Sequence, residues 1–492
     1  MTIVETTSGR VRGGRDDSVL RFQAIPYSAP PVGELRFKHP VAHKGWTGVR
    51  DATTRGPSSL QAGPADKPVR GQEDCLYLNV CTPGVIGALR PTMVWFHGGG
   101  FTNGAGWLAE SDPVKLATRG EVVVVSCNYR LGALGWMHLG DLDDDFGATG
   151  NCGLFDQLAV LRWTHENIER FGGDPDNVTA FGQSAGATGL VTLATMPESH
   201  GLMHRAIAQS AALSAVLSVD DAREMTDYVL DDLAVTDARG LLAVSPERIL
   251  EAQQRAVNRL ALATASQLAR QRLGPFGPVL DGRTIATSPL DALRSGGART
   301  MPLIAGANRD EWRYFGTRIG TPDEATIVER LADWLPEPES LWAFYRARAE
   351  TSEDAWIELQ TDRLFRVPTV RLIEAWGSQS ADLTYHYDFR WQPPGSDAGA
   401  THSREIPFVF DTFHHARGQM LGGPSPARSL IDFMQTSWIE FARSGAPAVA
   451  SQTTWPAYGS ARRTAVLDAE PSVVPDLDRD VRQIWDGALN GG

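Results

Sequence analysis

The chain has 492 residues, 42% of them hydrophobic and 21% charged, the balance of a globular protein with a sizeable core. Its formal net charge of −13 repels phosphate backbones and argues against nucleic acid as a partner. No uninterrupted apolar run is long enough to span a bilayer, and the N-terminus lacks the basic start and apolar stretch of a secretory leader, so no membrane partner is expected.

Residues 1–30 read as short strands with a turn at Gly13-Gly14. An extended segment punctuated by proline and glycine follows, P-P-V-G-E-L-R-F from Pro30 to Phe37. Residues 53–72, rich in Gly, Pro, Ser and Ala, read as a surface loop, and Glu73 to Val80 alternates like a strand. Thr92 to Phe96 reads as a buried strand that runs into His97-Gly98-Gly99-Gly100-Phe101, where glycines let backbone N–H groups approach a ligand. A short helix over Pro113–Thr118 and a second buried strand at Val122–Val125 come next. The four aspartates between Asp141 and Asp145 fit a solvated loop better than a metal site, since no ligand geometry is specified.

Leu154 to Phe171 carries apolar residues near helical spacing and is stopped by Gly172-Gly173. Then come strand-forming residues (Val178, Thr179, Phe181), a turn at Gly182-Gln183-Ser184-Ala185-Gly186, and a helix of small apolar residues that Pro197 ends. G-x-S-x-G alone is weak, because glycine and serine are common in turns; a preceding strand and a following helix make it a nucleophile elbow. The turn is tight enough that a side chain at Gly182 or Gly186 would clash, Ser184 is forced into a strained conformation, and the helix aims its amides at the place where an oxyanion would form.

Arg205–Gln209 reads as another strand, so strands and helices alternate from 92 to 210, which argues a parallel sheet covered on both faces. Helical periodicity fills about 213–300 and 322–380, around a strand at Pro302–Asn308. Thr384–Phe389 reads as the last core strand, a loop with His402 follows, and Ser429–Arg443 reads as a helix. The expected architecture is one α/β-hydrolase domain over 1–492, with those two helical stretches as insertions above the site.

A serine needs a base, and the base an orienting acid, with the order Ser, acid, His in this fold class. Of the 11 histidines, five precede Ser184, His200 and His204 follow too closely, His386 lies inside a strand, and His414-His415 is an adjacent pair. His402 alone occupies a loop after the last predicted strand. Glu311 follows the strand 302–308, and Asp310 is one residue away; spacing leaves both open.

The motifs together resemble the type-B carboxylesterase family, which includes the cholinesterases and bacterial p-nitrobenzyl esterases. The resemblance rests on Pro30–Phe37, the E-D-C-L of Glu73–Leu76, Phe171–Pro175 leading into Gly182–Gly186, G-A-N-R-D-E at Gly306–Glu311, G-A-T-H-S-R-E at Gly399–Glu405 and W-P-A-Y at Trp455–Tyr458. It implies Ser184 as nucleophile, His402 as base and then acid, and Glu311 as the orienting acid. It further implies Gly99, Gly100 and Ala185 as amide donors to an oxyanion, and a structural ion pair between Arg36 and Glu73. No metal or organic cofactor is implied, and the partner is a small-molecule ester. Two positions depart from the family: Gln183 and Trp312 stand where it usually has Glu and Gly. Cys75 lacks the upstream partner it has in secreted members, and with Cys81, Cys127 and Cys152 it reads as a free thiol, which places the protein in the cytoplasm.

The expected activity is hydrolysis of apolar esters of short to medium chain length, with Phe101, Trp107 and Phe315 as candidate walls. An amidase or carbamate hydrolase using the same three residues is the alternative, and a catalytically silent binding protein the third. Residue pattern leaves the natural substrate and oligomeric state open.

Overall fold

The computed structural model describes residues 1–64, 69–263, 273–297, 301–378, 380–447 and 454–490. Thirteen strands form one sheet. In chain order they are β1 Thr2–Thr6, β2 Gly9–Asp16, β3 Val19–Pro26, β4 Val49–Asp51, β5 Tyr77–Thr82, β6 Arg90–Phe96, β7 Val123–Cys127, β8 Gly173–Gln183, β9 Arg205–Gln209, β10 Leu303–Asn308, β11 Thr384–Phe389, β12 Arg463–Leu467 and β13 Ser472–Pro475. The spatial order is β1-β2-β3-β5-β7-β6-β8-β9-β10-β11-β12-β13, with β4 beside β2. From β7 to β12 every neighbouring pair is parallel; from β1 to β7 the neighbouring pairs are antiparallel, with β4 lying parallel beside β2, and β13 closes the other edge antiparallel.

Alternation along these strands divides the core into two layers. Val94, Phe96, Ala180, Ala206, Ala208 and Ala305 face one side, while Trp95, Phe181, Ile207, Ile304 and Tyr387 face the other. The small residues Ala180 on β8 and Ala206 and Ala208 on β9 let the helix Ala185–Ala194, buried along its whole length, lie close to the sheet. The parallel strands place their carboxyl ends at one edge, since Gly182 pairs with Phe96, Gln183 with Gln209, Gln209 with Gly306, and Asn308 with Phe389. Loops leaving these five strands therefore meet, as the rule for ligand sites in open parallel sheets requires.

Several sequence-based boundaries move. Gly13-Gly14 lies inside β2, and the turn falls at Asp17, whose φ is 50°. Glu73–Leu76 precedes its strand, and Gln61–Ala62 pairs with Val69–Arg70 inside the stretch read as a loop. The helix Cys152–Asn167 has no solvent-facing polar stripe at Asp156 and Gln157: both are buried with its apolar residues, and Arg130 binds Asp156 from within. The stretch 213–300 is not helical throughout, since Leu217–Ser218 bridges Val279–Leu280 between helices; residues 264–272 and 298–300 of it lie outside the described residues. Thr384–Phe389 is not the last sheet strand, because β12 and β13 extend the sheet beyond it.

Candidate active site

The strand β8 ends at Gln183, and the chain reverses at once into the helix Ala185–Ala194. Ser184 has φ 55° and ψ −124°, a conformation that costs an ordinary residue roughly 1–3 kcal/mol. It is held there by its own N–H donating to Gln209 O at 2.9 Å and by its carbonyl accepting from Thr188 N at 2.8 Å. A methyl at Gly186 would stand 2.1 Å from Phe96 O, and one at Gly182 would stand 2.8 Å from the Gly186 carbonyl carbon, so both glycines are required by close approach.

Glu311 leaves the end of β10 through a tight turn in which its Oε1 accepts from Asn308 N at 2.8 Å. Its Oε2 accepts from His402 Nδ1 at 2.5 Å, and neither side chain is more than 5% exposed. This pairing puts the imidazole proton on Nδ1 and leaves the lone pair on Nε2. Asp310, the rival carboxylate, does other work: its Oδ2 accepts from Ala400 N at 2.7 Å and so fastens the loop carrying His402. Asn308 Nδ2 ties the same loop by donating to Thr401 O at 2.7 Å.

Ser184, Glu311 and His402 thus converge at one corner of the sheet. Among the described residues no hydrogen bond joins the Ser184 hydroxyl to the ring. His402 Nε2 instead lies 3.1 Å from Gln183 Nε2. The imidazole is enclosed by aromatic rings, with Phe315 and Phe365 each 5.1 Å away between centroids and Tyr314 at 6.0 Å.

Facing the elbow, the loop after β6 turns through Gly99 at φ 119° and Gly100 at φ 60°. A methyl at Gly99 would be 2.1 Å from Asn103 O. Gly99 O accepts from Thr102 N and Asn103 N at 3.1 and 3.0 Å, which fixes the loop, while the amides of Gly99 and Gly100 have no partner among the described residues. Ala185, first in its helix, has an amide without an intrahelical acceptor. His97 anchors the loop from below: it stacks on Tyr129 at 4.4 Å, its Nδ1 meets Gly98 O at 2.8 Å, and burial pushes its titration down to about 4, so it is a neutral wedge.

The candidate walls divide. Phe315 is beside His402. Phe101 is packed into the core at 4.5 Å from Trp136 and is 1% exposed. Trp107 lines a separate depression with Arg21, Arg55 and Asn79, away from the three residues, because the chain turns back along β5 before reaching it. Arg36 and Glu73 are bonded as a fork, with Arg36 Nη2 donating to Glu73 Oε2 at 2.9 Å. All four cysteines are free and buried, and burial pushes the Cys75 thiol up to about 12. Trp312 is buried, and its backbone N–H donates to Thr361 Oγ1 at 3.0 Å, while its indole N–H has no partner among the described residues. No group of metal-ligating side chains and no helix long and apolar enough to cross a membrane occurs among the described residues.

Sequence reasoning missed Glu405. It is fully buried behind Glu311, accepting from Asn308 Nδ2 at 2.8 Å and from Gln209 Nε2 at 3.2 Å. Burial, and then the charge of Glu311, push its carboxyl up to about 6. Gln209 is fixed in turn by Trp438 Nε1, which donates to its Oε1 at 3.1 Å. The helical spacing from His402 to Glu405 was the one available signal.

A model of the carboxylesterase family matches residues 1–483. The chain is 34% identical over 496 residues to para-nitrobenzyl esterase of Bacillus subtilis (strain 168), covering 98% of each. It is 31% identical over 500 residues to phenmedipham hydrolase of Pseudarthrobacter oxydans, covering 97% of each. The crystal structure of Geobacillus stearothermophilus carboxylesterase EST55 at pH 6.2 superposes with a TM-score of 0.87 at 35% identity, covering 99% of this chain and all of that one.

Proposed function

Since the chain belongs to the carboxylesterase family and is a carboxylic ester hydrolase, we propose that Ser184, His402 and Glu311 carry the reaction through an acyl-enzyme. Ser184 Oγ attacks the ester carbonyl as His402 Nε2 takes its proton. The negative charge developing on the carbonyl oxygen is met by the amides of Gly99, Gly100 and Ala185. One such donor is worth about 3–4 kcal/mol in the transition state. His402 returns the proton to the leaving alkoxide, and the alcohol departs. A water then gives its proton to His402 and attacks the acyl carbon, and His402 passes that proton to Ser184 Oγ as the bond to the acyl carbon breaks and the carboxylic acid is released. Glu311 holds the ring tautomer throughout.

The observation that carries this reading is the Glu311–His402 pair at 2.5 Å, assembled from loops 91 residues apart at the corner where the strained Ser184 turns. The aromatic surroundings of the ring, with Phe315 among them, support apolar esters of short to medium chain length as substrates. Carbamate hydrolysis by the same residues is a second reading, supported by the relative that hydrolyses phenmedipham. Four buried free thiols support residence in a reducing compartment. The test is labelling with a fluorophosphonate followed by peptide mapping. One label on Ser184, absent from Ser184→Ala, is expected; a label elsewhere, or none, would refute the assignment. Parallel assays on an ester and its carbamate isostere separate the two substrate readings.

A further inference from the structure

We infer that Gln183 is a resting-state latch: it occupies the imidazole nitrogen that Ser184 needs, and so governs how readily the serine is activated. The inference rests on the assignment of Ser184 and His402 made above.

Glu311 holds the proton of His402 on Nδ1, so Nε2 offers one in-plane lone pair. A carboxamide presents either a donor nitrogen or an acceptor oxygen, and only the nitrogen can satisfy that lone pair. The Gln183 Nε2–H therefore donates to His402 Nε2 across 3.1 Å. One lone pair takes one strong donor at a time, so the Ser184 hydroxyl and the Gln183 amide compete for it. The arrangement here is the one in which Gln183 holds it.

The latch is built into its surroundings. Gln183 is 2% exposed, and its backbone is fixed at the end of β8 by pairing with Gln209. Its Oε1 lies where a side chain at residue 98 would be, 2.4 Å from the position a methyl would take on Gly98. Gly98 therefore makes room for this carboxamide, quite apart from the turn that Gly99 and Gly100 make beside it. Phe315 and Phe365 bracket the ring, so the imidazole trades partners by small tilts.

Proton transfer from Ser184 turns Nε2 from an acceptor into a donor. The amide nitrogen then faces an N–H and has to turn or withdraw. Gln183 thus stabilises the neutral, unengaged ring and opposes the engaged one. Family members usually have a carboxylate at this position, which when ionised accepts and cannot donate; the competition belongs to the glutamine. Gln183 is a positioning residue, acting on the reaction only through His402.

The test uses the full chain and two variants of similar side-chain volume that lack the donor, Gln183→Met and Gln183→Leu. An uncharged fluorophosphonate reports the reactivity of Ser184 directly. An ordinary hydrogen bond lost from the resting state predicts labelling about three- to tenfold faster in both variants. The same gain is expected in kcat/KM for an uncharged ester, with KM little changed. The 15N resonance of His402 Nε2 should move as its lone pair loses a donor, a change that loss of packing alone would not produce. Labelling of Gln183→Met that is unchanged or slower, with its thermal midpoint preserved, would overturn the latch while leaving the assignment of Ser184 intact. Should the Met variant fold poorly, the Leu variant decides on the same readouts. A wild-type protein that takes no label on Ser184 would overturn both.

Discussion

Two groups of buried ionisable side chains border β10 and β11, and they are compensated in opposite ways. At the carboxyl ends of the strands, Glu311 and Glu405 are held by amides, Asn308 N, Asn308 Nδ2 and Gln209 Nε2, and His402 by Glu311. Among the described residues no arginine or lysine bonds any of the three. On the outer side of β11, in a cavity bounded by the helices Val367–Gly377 and Arg479–Asn490, guanidinium groups dominate. Arg366 meets Asp362 at 2.7 Å, Asp388 at 3.3 Å and also Asp478, and Arg390 meets Asp388 and Asp478 at 2.9 and 3.0 Å. Burial pushes Asp388 up, but Arg366 and Arg390 outweigh it and hold the carboxyl below its ordinary range. Asp362, sealed in and bonded by Tyr345 Oη at 2.6 Å, is still pushed up to about 6 by burial.

The difference separates chemistry from scaffolding. Two guanidinium groups together keep Asp388 charged, and the cluster ties segments to one another. A carboxylate held by amides beside an imidazole, as Glu311 is, orients the ring and stabilises the charge that forms on it. The charged cavity shares no lining residue with the three site residues and holds the C-terminal helix to the sheet.

Substitutions can break this contrast or sharpen it. The largest effect should come from the amide-held group. Ser184→Ala or His402→Ala should lower kcat on the order of 10⁶-fold and Glu311→Ala about 10⁴-fold. Thermal midpoints close to wild type, measured alongside ester turnover, would show that chemistry alone was lost. Arg366→Met should do the reverse. It strands Asp362 and Asp388 without their main partner and should cost about 3–5 kcal/mol of stability by denaturant titration. Turnover per folded molecule should stay within about twofold, the scatter expected of a residue that touches no reacting group. A large fall in turnover without loss of stability would join the two groups into one.

Glu405→Gln comes next. The folded value of about 6 for Glu405 lies above the reference value of 4.5, so between those limits the native state holds more protons than the unfolded one. Stability from this group therefore falls as pH rises through that window. The cost is absent below it, complete above it, and on the order of 2 kcal/mol. The stability difference between Glu405→Gln and wild type should be flat in acid, climb from pH 4.5 to about 6 in the variant's favour, and level off. Parallel curves would mean that Glu405 is not held by burial as described. The smallest effect is expected from Asp478→Asn at the rim of the arginine cluster, where Asp478 is 26% exposed and solvent screens its pairs. A loss of about 1 kcal/mol or less should follow.

Much of the site could be read from residue types. Gly182, Ser184 and Gly186 carry a steric requirement that shows in any sequence, and the strand and helix around them follow from periodicity. Glu311 and Asp310 could not be separated by spacing; the structure gives them different partners. Trp107 was misplaced because an aromatic near a glycine loop says nothing of which way the chain turns afterwards. β12 escaped notice because Arg463–Leu467 is short and follows a loop rich in polar residues. The contact between Gln183 and His402 depends on a side-chain rotamer, which no pattern encodes. The arginine cluster unites residues 362, 388 and 478, each unremarkable where it stands in the sequence.

Arg36 has a bearing on how the chain is made. Besides gripping Glu73, it donates to Leu241 O at 3.0 Å, a carbonyl 205 residues further on, and to Val244 O at 2.7 Å. During synthesis the guanidinium leaves the ribosome long before those carbonyls exist. The N-terminal arm must therefore wait, incompletely fastened, until about half the polypeptide has emerged, and a stall before residue 244 would expose it to chaperones and proteases.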